Sequence, residues 1–266
     1  MKDKNFLINN GVNVDKALEL FGDMETYNDT LDDFLADIDQ KLALIKEYKE
    51  SGDMANYAIQ VHSLKSDSKY FGFDKLAELS YNHEMQSKAN DIYYVTDHYD
   101  ELITEANRIL NVVKQYVGIS NVETNNMEQA RPVVIKDKTI LVVDDSNVVR
   151  NFIYKIFNNE YDILIANDGE EAMNIIKSNV DDKIVGVLLD LNMPNVDGFQ
   201  VLDYFKENNL FYKIPVAIIT GEGTDENIKR AYTYPIVDML QKPFNENNVK
   251  SIVNKLIMIR DMNRGE

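Results

Sequence analysis

Five short apolar runs in the second half of the chain each precede a stretch of helical periodicity. TILVVD leads into a helix from Ser146, YDILIA into one from Asp168 and IVGVLLD into one from Gly198. IPVAIIT leads into a helix from Asp225, and IVDML into a closing helix from about Asn245. ILVV and VGVLL are apolar at every position, as strands covered on both faces must be. Strands that return through helices pair in parallel. A (βα)5 doubly wound parallel sheet is therefore expected over 137–266.

The first half has a different period. From Tyr27 to Tyr48 the apolar positions Leu31, Phe34, Leu35, Ile38, Leu42 and Ile45 make one stripe at helical spacing. A second stripe, Ala58, Val61 and Leu64, runs toward Phe71 and is broken by Gly72. Asp74 then reads as the cap of a helix carrying Leu76 and Leu79. A long last helix is expected over Ile92–Val117. Amphipathic helices joined by short connections imply a bundle over 1–118. Residues 119–136, ISNVETNNMEQARPVVIK, have no periodicity and read as a linker.

Charge narrows the partners. The chain of 266 residues carries a net −17. Residues 1–118 hold 12 basic against 22 acidic residues, and 137–266 hold 14 against 21. Such a surface repels nucleic acid and anionic membranes, so neither is expected as a partner. There are no cysteines, which excludes disulfides and thiolate metal sites. No 18-residue apolar run occurs, and a cytoplasmic location is the default expectation.

In an open parallel sheet, chemistry gathers beyond the carboxyl ends of the strands. Strand one ends in Asp144-Asp145, strand three in Asp190 and strand four in Thr220. Lys242-Pro243 follows strand five. Three carboxylates brought together repel unless a cation sits among them. With no His or Cys nearby, the ligand set is all oxygen and suits Mg2+. Lys242 and Thr220, aimed at the same spot, would bind phosphoryl oxygens. An aspartate between Mg2+ and a lysine suits a phosphoryl acceptor.

These residues, VVDDS at 142–146, LLDLNMPNVDG at 188–198, IITGE at 218–222 and LQKPF at 240–244, resemble the receiver domain of two-component response regulators. The resemblance spans 137–262. It implies phosphorylation of Asp190 and Mg2+ binding by Asp145, Asp190 and the backbone carbonyl of Asn192, with Asp144 in support. It also implies that Thr220 and Lys242 hold the phosphoryl group and that Lys242-Pro243 is cis. One position departs: Met239 stands where the family places a switching aromatic residue. Pro235-Ile236 replaces the usual Gly-Ala. Tyr232 and Tyr234 are the nearest aromatic substitutes.

The stretch HSLKSDSKYFG, 62–72, places His62 about 100° round from Val61 on the helix. Lys65, Ser66 and Lys69 follow at i+3, i+4 and i+7 and share its polar face. An exposed imidazole there would be largely neutral near pH 7 and could take a phosphoryl group. Residues 5–118 resemble a histidine-containing phosphotransfer (HPt) domain, on this motif and its flanking helices. The resemblance implies a four-helix bundle with His62 exposed and Lys65 assisting. Ser66 replaces the usual Gly, and Asp67 a usual Ser or Ala, adding negative charge near the histidine.

NHEMQSKA at 82–89 lacks the Thr-Pro of a histidine-kinase box, and no Gly-rich ATP-binding segment occurs. His83 is expected to be partly buried and His98 to lie on the surface. Asp29, Asp32, Asp33, Asp37 and Asp39 read as a solvated acidic face.

Together these features suggest a two-component phosphorelay protein without an output domain, a phosphoryl carrier and not a kinase. Its partners would be a sensor histidine kinase and other receiver or HPt domains. Two alternatives remain open: an adaptor whose helical half only docks a partner, and a phosphate sink.

Overall fold

A computed structural model describes residues 3–118, 136–179, 182–221 and 225–265. The expected linker over 119–136 lies, except for Lys136, outside these residues. Among the described residues, no helix is long and apolar enough to cross a membrane.

The N-terminal region is helical. Four long helices, α3 (Met24–Ser51), α4 (Met54–Phe71), α5 (Asp74–Lys88) and α6 (Ile92–Val117), pack in a ring, each against the next and α6 back on α3. Asp23, Asp53 and Asp91 cap α3, α4 and α6 by accepting from backbone N–H groups of the first turn. The α5 start differs from expectation. Asp74 is the first helical residue and Phe73 holds the cap position without a side-chain bond. Asp74 instead accepts from Asn13 Nδ2 at 2.9 Å and from Lys16 Nζ at 3.3 Å. Two short helices precede the ring, α1 (Lys4–Asn9) and α2 (Val14–Phe21). Helix α4 stops at Gly72, whose backbone is left-handed at φ +72°.

The C-terminal region is a five-stranded sheet, β1 (Thr139–Val143), β2 (Asp162–Ala166), β3 (Ile184–Leu189), β4 (Val216–Thr220) and β5 (Met239–Gln241). Its order is β2-β1-β3-β4-β5 and all pairings are parallel. The apolar runs TILVV and IVGVLL are the buried strands β1 and β3, covered on both faces as their composition requires. On one face lie α7 (Asn147–Phe157) and α11 (Glu246–Arg264), through Phe152, Val249, Ile252 and Leu256. On the other lie α8 (Gly169–Lys177), α9 (Gly198–Glu207) and α10 (Asp225–Ala231).

The two regions are not separate bodies. One hydrophobic cluster runs from Tyr27, Phe34 and Phe71 through α7 into the sheet. Helix α3 packs on α7. Phe21 and Phe152 meet edge-on with centroids 5.4 Å apart, and Tyr70 meets Phe244 edge-on at 5.8 Å. The phenolic oxygen of Tyr70 accepts from the Phe244 N–H at 3.3 Å. Two members of the acidic cluster on α3 face this junction, contrary to the solvated reading. Asp33 pairs with Lys155 at 3.2 Å, and Asp37 accepts from Asn147 Nδ2 at 3.1 Å. Asp29, Asp32 and Asp39 remain exposed.

Candidate functional site

At the carboxyl edge of the sheet, β1 delivers Asp144 and Asp145, β3 delivers Asp190, and β4 ends in Thr220. One oxygen from each of the three aspartates lies within 4.8 Å of the others. Asp144 and Asp190 are fully buried, and Asp145 is partly buried. Lys242 Nζ reaches Asp190 Oδ2 at 2.5 Å and Asp144 Oδ2 at 2.6 Å. Its peptide to Pro243 is cis, and its N–H donates to the Thr220 carbonyl at 2.6 Å. The Asn192 N–H donates to Asp190 Oδ1 at 3.2 Å, so the backbone of that loop lies against this carboxylate.

Lys242 pairs with two of the three acids, and the proton affinities follow that imbalance. Asp144 is pushed above the usual carboxylate range, first by burial, with Lys242 opposing and Asp190 adding to the rise. Asp145 is pushed up by burial and then by the charges of Asp144 and Asp190. Burial lowers Lys242, but the three aspartates outweigh it and hold the ammonium charged. A second cation is what this arrangement calls for. The donors are hard oxygens at close range, which fits Mg2+.

His62 lies at the same edge. It was expected to be exposed, yet it is 2% accessible, because the C-terminal region covers its face of α4. The ring lies against Gly221, just beyond β4: a Cβ there would stand 2.9 Å from His62 Cε1 and 3.0 Å from Nε2. His62 Nδ1 is 2.7 Å from Glu84 Oε1. Burial raises the Glu84 carboxyl, but His62, Lys65 and Lys88 more than reverse this and keep it ionised. An ionised carboxylate only accepts, so Nδ1 carries the proton and donates. Burial lowers the imidazole's proton affinity more than Glu84 raises it. This favours the neutral ring, with its lone pair on Nε2. That atom has no hydrogen-bond partner among the described residues, and neither do Ser66 Oγ and Thr220 Oγ1.

The other expected residues fall as follows. Lys65 Nζ pairs with Glu84 Oε2 at 2.8 Å, on the carboxylate whose other oxygen faces His62. Lys69 is half-buried. Asp67 turns away from the histidine, binding Lys41 Nζ and accepting from Ser146 Oγ at 2.6 Å. His83 is buried more fully than expected, with Nδ1 2.7 Å from the Tyr57 hydroxyl. His98 is exposed as expected. Met239 opens β5, half-buried. Tyr234 is buried, its hydroxyl donating to Asp203 at 2.6 Å, whereas Tyr232 is 60% exposed. Glu84 is the residue that sequence reasoning missed. It sits in NHEMQSKA, and its available signal was spacing: Ser80, Glu84 and Ser87 are all buried on one face of α5.

The family model of the response regulator receiver domain matches residues 140–254. The C-terminal region is a receiver domain. Its relatives include a protein of Pyropia yezoensis named as the probable transcriptional regulator ycf29. That protein is 32% identical over 120 residues, which is 45% of this chain and 53% of the relative. The two-component response regulator ARR6 of Arabidopsis thaliana is 27% identical over 46% of this chain and 71% of its own. The chemotaxis protein CheY1 of Helicobacter pylori J99 is 29% identical over 46% of this chain and 98% of its own. A solved receiver domain protein from Clostridium thermocellum is 25% identical, with a TM-score of 0.43 over 47% of this chain and 98% of its own. This chain thus spans about half the length of the first of these relatives, and the matches cover less than half of this chain. Named two-component response regulators are among these relatives.

Proposed function

We propose that this chain is a phosphoryl carrier of two-component signalling in which Asp190 of the receiver domain exchanges a phosphoryl group with His62 of its own helical region. The supporting observation is that His62 Nε2, Ser66 Oγ and Thr220 Oγ1 are buried, without partners among the described residues, at the junction where Gly221 meets the imidazole. A buried polar atom without a partner costs about 1–3 kcal/mol. Three at one junction are accounted for by an anion that accepts from the two hydroxyls and bonds to the nitrogen. On this reading the helical region is an HPt domain, with 119–136 as the connection to the receiver.

The step balances as an in-line transfer. The Nε2 lone pair attacks phosphorus, the P–O bond to the Asp190 carboxylate breaks, and its electron pair returns to that carboxylate. Nδ1 retains its proton and donates it in a hydrogen bond to Glu84, whose carboxylate stabilises the cationic phosphoimidazole. Lys242 stabilises the carboxylate as it leaves. The hydroxyls of Ser66 and Thr220 donate to the equatorial oxygens. Mg2+ held by Asp144, Asp145, Asp190 and the Asn192 carbonyl would offset the oxygens' developing charge. The reverse step loads Asp190 from His62.

The test is acetyl phosphate labelling with Mg2+, read by intact mass and by acid and base lability. Wild type is expected to gain base-stable, acid-labile phosphate at His62 by way of Asp190. Asp190→Ala is expected to gain none, and His62→Gln only base-labile phosphate. Base-labile phosphate alone in wild type would refute the exchange within the chain.

A further inference from the structure

Asp67 departs from the HPt pattern, and the junction gives it a use. Its carboxylate is 1% exposed and bridges two regions: one oxygen takes Lys41 of α3 and the other takes Ser146 Oγ of the receiver. Lys41 is itself buried and also pairs with Asp37 at 3.1 Å. Asp37 in turn accepts from Asn147, the residue after Ser146. On the receiver side, the Ser146 N–H donates to Asp144 Oδ1 at 3.0 Å. A continuous polar path therefore runs from the acidic pocket across the junction to α3. A carboxylate and an ammonium buried together in this way are stable only while both keep their partners.

We propose that Asp67, backed by Lys41, is the specificity-determining latch that docks the helical region onto this chain's own receiver and closes His62 to other molecules. A small residue at 67 would leave Ser146 and Lys41 without this bridge. The receiver would then sit on α4 through apolar contact, the Phe244 N–H bond to Tyr70 and the outer pairs, and the His62 face would open more often. The latch stands on geometry; only its consequence for signalling rests on the phosphoryl exchange proposed above.

The test uses the full chain and needs no phosphoryl group. Diethyl pyrocarbonate carbethoxylates accessible imidazole nitrogens, and peptide mass resolves the three histidines. In wild type His98 is expected to react quickly, and His62 and His83 slowly. Asp67→Ala is expected to raise the His62 rate at least about tenfold, the factor matching one lost charged hydrogen bond. His98 and His83 should keep their wild-type rates. Asp67→Asn keeps the bond to Ser146 but loses the charge, and should give a smaller rise. An unchanged His62 rate in Asp67→Ala would overturn the latch. A fast His83 in both variants would also overturn it, by placing Asp67 in the folding of the helical region. Failure of phosphate to reach His62 in the labelling experiment would leave these rates untouched, so the two readings fail separately.

Discussion

Gly221→Ala isolates the approach of His62 to the receiver. Gly221 is not among the glycines with left-handed backbone, so alanine introduces no backbone strain there. Its Cβ would stand 2.9 Å from Cε1 and 3.0 Å from Nε2 of His62. Carbon contacts settle at about 3.5–4.0 Å, so the ring must retreat by roughly 0.5–1 Å. The ring is tethered to Glu84, so it retreats either by giving up that bond or by the helical region backing away, and both displace Nε2. A misplacement of about 1 Å costs on the order of 100-fold in a positioned transfer, which is about 2.7 kcal/mol on the barrier. The assay loads the chain with acetyl phosphate and Mg2+ and follows base-stable phosphate with time. Base-labile loading of Asp190 is expected to proceed at or above the wild-type rate, because a small donor does not need the imidazole. Appearance of phosphohistidine falls about 100-fold. Transfer at the wild-type rate would refute both the close approach and the direct step that depends on it.

Glu84→Gln should slow transfer to His62 and alter the imidazole nitrogen NMR shifts, because an amide no longer fixes the tautomer. Glu84 ionises well below its ordinary value, so its contribution to stability is present above about pH 4.5 and lost as pH falls below it. Acid unfolding of wild type should accordingly be steeper below pH 4.5 than that of Glu84→Gln. Asp144 and Asp145 bind protons more tightly folded than unfolded, so acid competes with metal in the pocket. The rise in Tm given by a fixed Mg2+ concentration is therefore expected to be smaller at pH 5.5 than at pH 8. Phe152→Ala removes a buried ring that packs on Phe21, Tyr70 and Phe244. It should lower stability by about 3–5 kcal/mol in denaturant titration. A loss below 1 kcal/mol would show that this cluster is not part of the cooperative core.

What the sequence made legible was local. Apolar runs and caps such as Ser146, Asp168 and Asn245 placed the strands and helix starts of the receiver, because each depends on neighbours within a few residues. The pocket was legible because strand ends in a parallel sheet share an edge, so Asp144, Asp145, Asp190, Thr220 and Lys242 could be assembled from order alone. The stripe of α3 showed its buried face but not the use of the opposite one. Asp33 and Asp37 look like solvated acids until α7 is set beside them. The same holds for His62, whose exposure was inferred from its own helix while its cover comes from residues more than 150 positions away. Glu84 escaped because the partners that bury it, His62 and Lys65, lie on another helix, and its i+4 neighbour Lys88 makes it look like an ordinary surface pair. The short helix α2, in the opening NVDKALELFGD among the helices flanking the histidine motif, was legible as well: Asn13 caps it, and Val14, Ala17 and Phe21 share its buried face.

The burial of His62 and Asp190 in one seam has a consequence for time. Acyl phosphates and phosphoimidazoles decay mainly by attack of water, and here the protein stands where the water would. A phosphoryl group held between these residues would be lost no faster than the seam opens. The duration of a signal would then be set by how firmly two halves of one chain hold together, and less by the chemistry of the bond that carries it. Substitutions along the seam, at Phe152 or Tyr70, would act on that duration as a clockmaker acts on an escapement, by changing how often it lets go. Phosphate half-life measured beside the His62 carbethoxylation rate across such variants should show the first falling as the second rises.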